Sequence, residues 1–231
     1  FSKMNKKYKF TSNTKIENGI TLHQICALRD FGDVKAGDLG GWIEKESNLS
    51  QEGNAWVSDN AQVYGNAKVT GNALISENAW IYGNAHVYGN AHVYGNAQIY
   101  GNARVSDNAR ISEDAYVSHN AWVFEDAWVF GNARISEGSW VYGNAWVFGR
   151  AGIFGNARIS DKTRIYGNAH VYGNAHVSEN ARVYGNAWVF GDARICEDTH
   201  VYGNAHVFGN AQVSGNTRVS EILDIFVFPK T

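Results

Sequence analysis

Residues 81–100 read IYGNAHVYGNAHVYGNAQIY, near-copies of one hexad, Val-Tyr-Gly-Asn-Ala-x, in unbroken succession. Followed outward, the register of this stretch holds from Val57 to Val219. Every sixth residue is Val or Ile, giving 28 positions separated by 27 hexads. The residue four places after each is Ala in 23 of the 27 units, with Ser139, Thr163, Thr199 and Thr217 taking the rest. The residue three places after is Asn or Asp in 24 of them. A period of six fits neither the 3.6 of an α-helix nor the 3.5 of a coiled coil, so both are excluded.

Alternation says what the hexad builds. In Ala-x-Val the Ala and Val lie two apart and share one face of a strand, while x and the residue after Val point away. Gly-Asn then turns the chain, since both residues tolerate positive φ. Strands this short bury an Ala/Val face only by coiling and stacking on themselves. Three hexads per coil give a triangular prism with 18-residue turns. The 27 hexads make nine coils, roughly 43 Å long at about 4.8 Å per strand spacing. A second signal has the same period: Ser160, Ser178, Cys196 and Ser214 are each 18 apart. They occupy the position after Val/Ile, which is aromatic in 16 of 28 cases and otherwise Ser, Thr or Cys. Fifteen of the aromatics precede Gly, whereas nine of the 12 small residues precede Asp or Glu. These read as two interchangeable corners: a ring over a bare glycine, or a hydroxyl and carboxylate that satisfy the turn amides.

Composition agrees. Leucine, the staple of helical cores, occurs only six times in 231 residues, while Gly and Asn each occur 25 times. The hydrophobic fraction of 44% is enough for a core and argues against disorder. A net charge of −2 supplies no basic field for nucleic acid or a membrane surface, and no apolar run is long enough to span a bilayer. Cys26 and Cys196 are far apart and form no metal or redox spacing, so a reduced cytosolic compartment is the default. Nothing in the sequence calls for a cofactor or a metal. Met4, the only methionine, reads as a native start behind vector-derived residues 1–3.

The outward x residues, written in columns 18 apart, give the most informative surface. One column runs His92, Arg110, Trp128, Trp146, Arg164, Arg182, His200, Arg218; the next runs His86, Arg104, Trp122, Trp140, Arg158, His176, Arg194, Gln212. Each carries a Trp pair at mid-length flanked by arginines, with Phe124 and Phe130 alongside. Guanidinium against indole is a favourable contact of roughly 0.5–1 kcal/mol when exposed. Four Trp at one level also make an apolar patch larger than a monomer leaves bare. Three uses are open: burial in a homotrimer or dimer, binding of a foreign protein, glycan or nucleotide, or solvated ladders that stabilise the strands. Stacking of single-stranded nucleic acid is opposed by the corner carboxylates Asp107, Glu113, Asp114, Glu125, Asp126 and Glu137.

The histidine pairs His86/His92, His170/His176 and His200/His206 are six apart and so fall on neighbouring faces. No two of them are 18 apart, the spacing that would make them neighbours in one column. A shared base or metal site at these residues needs a subunit boundary, and surface histidines are the plainer reading.

The hexad resembles the repeat of left-handed parallel β-helix proteins, the hexapeptide-repeat superfamily, over Val57–Val219. The lead-in Leu28–Leu49, LRDFGDVKAGDLGGWIEKESNL, resembles the N-terminal cap of uncharacterised phage and prophage members, often labelled transferases through the fold alone. The resemblance implies an all-β, left-handed β-helix, and the hand comes from it rather than from the spacing. It also implies a cytosolic or phage-associated protein, with action on a host factor as an analogy. Acyltransferases of the superfamily bind acyl donors between subunits of a trimer, and usually carry an extruded loop, a catalytic His and often a C-terminal helix. No insertion interrupts these 27 hexads and no helical pattern follows Val219. Their carbonic anhydrase relatives use a His-x4-His spacing that is absent here. The expected organisation is an N-terminal β cap over 1–50, a β-helix over 51–220 and a C-terminal cap over 221–231. Within the first, Tyr8–Thr11 and Thr14–Ile16 read as short strands, Asn18-Gly19 as a hairpin turn and Asp38–Trp42 as a turn-rich approach to the first coil.

Overall fold

A computed structural model of the chain describes residues 5–221. The Met4 start, and the C-terminal cap from residue 222 onward, lie outside the described residues. Two-residue strands recur every six residues from Trp56–Val57 to Arg218–Val219. Between the ends of the solenoid each pairs in parallel with the strands 18 residues before and after it: Arg104 lies between His86 and Trp122, and Arg110 between His92 and Trp128. Three parallel sheets result. Face 1 runs in ten strands from Trp56 to Arg218, and face 3 in nine from Lys68 to Gln212. Face 2 runs from Gln62 to His206 and continues into the N-terminal strands as a 12-stranded sheet. The molecule is the triangular parallel β-helix that the hexad predicts.

The repeat is held by backbone bonds between coils. Arg104 N–H donates to the Ala121 carbonyl (2.9 Å), Ser106 to Val123 (3.0 Å) and Asn108 to Glu125 (2.9 Å), while Ala109 N–H closes the turn onto Ser106 (3.1 Å). A proline at any of these positions would delete a bond. Inside, the Val/Ile column from Val57 to Val201 is fully buried, with the inward Ala residues beside it.

Corners of both kinds adopt the left-handed conformation, Gly95 at φ 69° and Glu77 at φ 58°. The N–H of this corner residue is met by a carboxylate one coil earlier: Gly95 by Glu77 (3.0 Å), Glu77 by Asp59 (3.1 Å), Gly143 by Glu125 (2.7 Å). The carboxylates thus satisfy turn amides as expected, but those of the following coil. Outward rings stack along the axis, as in Tyr82–Tyr100 (5.1 Å) and Phe148–Tyr166 (5.0 Å). At the corners the asparagines form ladders, Asn66–Asn84–Asn102–Asn120 among them. Gly138, Arg150 and Lys162 interrupt the ladders, one on each corner.

At the N-terminus β1 (Tyr8–Glu17) and β2 (Ile20–Ala27) form an antiparallel hairpin. Its turn residues Asn18 and Gly19 both have positive φ, as the sequence predicts. β1 is one strand with an irregularity between Phe10 and Thr14, not two short ones. The expected turn at Asp38–Trp42 is instead largely strand, β3 (Leu39–Ile43), paired with β2 on one side and with Gln62–Val63 on the other. Its glycines serve close packing: a Cβ on Gly40 would sit 2.6 Å from Ile25 and from the Trp56 ring. Lys7 is buried beside this junction, its ammonium donating to the Ala55 carbonyl (2.7 Å) and lying over the Phe31 ring. Burial, reinforced by Arg29, lowers its pKa to about 8. Tyr8, also buried, donates its hydroxyl to the Leu49 carbonyl (2.7 Å).

Candidate functional site

Strand alternation sends every x residue outward, and the parallel register stacks the columns that the sequence defines. On face 3 Trp122 pairs with Trp140, flanked by Arg104 and Arg158. On face 1 Trp128 pairs with Trp146, flanked by Arg110 and Arg164. The corner carrying Phe124 connects the two faces at the same level. The result is a duplicated four-ring cluster. Trp122 packs on Phe124 (4.5 Å) and edge-on to Trp140 (5.5 Å), and Phe124 stacks on Tyr142 (4.9 Å). Six residues on, Trp128 packs on Phe130 (4.6 Å) and edge-on to Trp146 (5.4 Å), and Phe130 stacks on Phe148 (4.8 Å).

Each cluster is closed at both ends. The indole N–H of Trp122 donates to Ser106 (3.0 Å) and that of Trp128 to Ser112 (3.1 Å), both serines being buried. At the other end the Arg158 and Arg164 guanidinium carbons each lie 4.1 Å from the ring centres of Trp140 and Trp146. Arg104 is 6.0 Å from Trp122, whereas Arg110 is brought to Trp128 by register. All four tryptophans are half-buried against one another, so less apolar surface is bare than their sequence positions suggest. The more exposed ring is Trp188 (41%) on face 2, which the sequence reading did not single out. It stacks between His170 and His206, and the 18-residue spacing to each was the available signal.

Among the described residues the ion pairs are Lys6–Glu46 and Lys35–Asp30, both before the first coil. Among the described residues the arginines of the band therefore have no carboxylate partner. Nor do the histidines meet. His86 and His176 lie on face 3, His92 and His200 on face 1, and His170 and His206 on face 2 with Trp188 between them. His86 reaches Thr70 (3.0 Å). Desolvation, followed by neighbouring cations, holds four of them below the usual imidazole range: His86 beside Lys68 and Arg104, His92 beside Arg110, His176 beside Arg194 and Arg158, and His200 beside Arg182 and Arg218. Among the described residues no three His, Cys, Asp or Glu side chains converge on a point that could hold a metal ion.

Comparison with known proteins places these features in a frame. Residues 61–77, 79–95, 97–113, 163–179 and 181–197 match the YdcK β-solenoid repeat. A stretch of 41 residues is 51% identical to the protein described as uncharacterised acetyltransferase YdcK of Escherichia coli K12. That match covers 18% of this chain and 13% of the relative. A structure of LpxA from Acinetobacter baumannii aligns over 70% of this chain and 71% of its own, at 14% identity and a TM-score of 0.26. The matched repeats stop at residue 113 and resume at 163. All four band tryptophans and the three ladder interruptions fall in the interval between.

Proposed function

We propose that this β-helix is a non-enzymatic binding and structural protein that self-associates through the aromatic and arginine band. The observation that carries the reading is the duplicated ring cluster, set at one level on two adjacent faces and flanked by arginines with no carboxylate partner among the described residues. Exposed corner acids, Glu125 and Asp126 among them, lie between the same faces and likewise have no cation partner among the described residues. One surface bearing rings, guanidinium groups and carboxylates, none of them ion-paired among the described residues, is complementary to itself, as a two-fold interface requires. Tryptophan and arginine are also the residues that carry interface energy. The occupant proposed is a second copy of this chain, as a dimer or trimer. The cysteine usage supports a reduced, cytosolic setting. Action on a host factor rests on the phage-type proteins that the lead-in resembles.

The other reading is a hexapeptide-type acyltransferase with an intersubunit site at a histidine pair. Support for it comes from the superfamily resemblance and from the name of the YdcK relative.

Size-exclusion chromatography with light scattering tests the first reading. The wild type is expected to run as an oligomer and Trp128→Ala/Trp146→Ala as a monomer with an unchanged far-ultraviolet spectrum. A double variant that remains oligomeric removes the band as the interface. Calorimetry with acetyl-CoA tests the second, and heat of binding lost in His86→Gln/His92→Gln would favour it over the first.

A further inference from the structure

Residue 152 is the one x position of the 28 that carries no side chain, and Arg150 stands where the corner asparagine belongs. These two departures from the hexad, Gly-Arg150-Ala-Gly152, are adjacent on face 2, away from the tryptophan pairs. The strand of Gly152 pairs with that of Arg134 on one side and that of His170 on the other. The surface here forms an open notch of about 600 Å³, lined by Asn132, Arg134, Ser136, Arg150, Phe154 and His170, the rings of the last two closing over Gly152. Gly152 is not there for a turn. It lies in a strand, and a Cβ would meet the rings of Phe154 (3.0 Å) and His170 (3.2 Å).

The lining is chemically one-sided. Two guanidinium groups, an amide and a hydroxyl provide hydrogen-bond donors, and neither arginine has an ion-pair partner among the described residues. The nearby carboxylate of Glu137 accepts the Gly155 N–H (2.6 Å). His170 Nδ1 is out of solvent with no hydrogen-bond partner among the described residues, a costly state for a polar atom. Arginine forks suit planar or tetrahedral oxyanions. We propose that the Gly152 notch is a binding site for a small-molecule oxyanion, a phosphate or carboxylate group held by Arg134 and Arg150 with the rest of the ligand against Phe154.

The test is calorimetric titration of the full chain with inorganic phosphate and, separately, with acetate at matched ionic strength. Saturable binding is expected for one or both anions, and their ranking identifies the ligand chemistry. Arg150→Asn, which restores the hexad consensus, and Gly152→Gln, which pushes the Phe154 and His170 rings out of place, should each weaken binding at least tenfold. Arg104→Gln on face 3 should leave it unchanged. An equal loss in Arg104→Gln, an Arg150→Asn variant that binds like the wild type, or no heat with either anion would overturn the proposal. The notch does not depend on the band on faces 1 and 3, so the oligomeric state of the tryptophan variant has no bearing on this outcome.

Discussion

A side chain in the left-handed region costs roughly 1–2 kcal/mol relative to glycine, yet Asp59, Glu77, Glu125 and Glu137 all sit there. The compensation is the carboxylate bond to the corner amide of the next coil, a charge-assisted contact of about 1.5–3 kcal/mol. Glu77 separates the two terms. Replacing it with alanine removes the bond to Gly95 and keeps the strain; replacing it with glycine removes both. Glu77→Ala should therefore be the less stable variant by about 1 kcal/mol, with the wild type at or above both in chemical denaturation. Equal stability of the two variants would mean that the corner is not strained. The pairing of small residues with acids is visible in the sequence, but the direction of the bond is not, because it runs to the following coil.

At the scale of the strand, the residue after Val/Ile meets the x residue 16 places on. Ser106 with Trp122, Ser112 with Trp128, Thr70 with His86 and Tyr82 with Gln98 all follow this rule. Ser112→Ala leaves the Trp128 indole without its acceptor and should cost about 1 kcal/mol, with a shifted tryptophan emission. Ser178→Ala, whose partner 16 places on is Arg194, should be nearly neutral in both measurements. A neutral Ser112→Ala would show that the indole finds water instead. The three faces and their columns were legible in advance because strand alternation fixes which residues point outward. The 16-residue tie was not, since it crosses from one hexad position to another. Nor was β3, where Asp-Leu-Gly-Gly is turn-like in isolation. Only the approach of Ile25 and Trp56 explains why glycine is needed in a strand there. The band residues were found by column, while Arg150 and Gly152 were passed over because the consensus hides what departs from it.

Across the whole molecule the stacked histidines and arginines couple stability to pH. His86, His92, His176 and His200 titrate lower in the folded chain than the unfolded value of about 6.5. Between the folded and unfolded values the unfolded chain binds more protons, so stability rises with pH in that window and is lost as pH falls below about 6.5. The unfolding temperature should be lower at pH 5.5 than at pH 7.5, and His92→Gln/His176→Gln should narrow that gap. A gap unaltered in the double variant would assign the acid sensitivity to other groups. Stability in such a solenoid is close to a sum over neighbouring coils, so each coil can also be threaded wrongly. A chain slipped by 18 residues still lays Val on Val and Ala on Ala, and its core would scarcely notice. The interruptions at Gly138, Arg150 and Lys162, one on each corner, are among the features that tell one coil from the next. They work as page numbers in a book whose pages are otherwise almost the same.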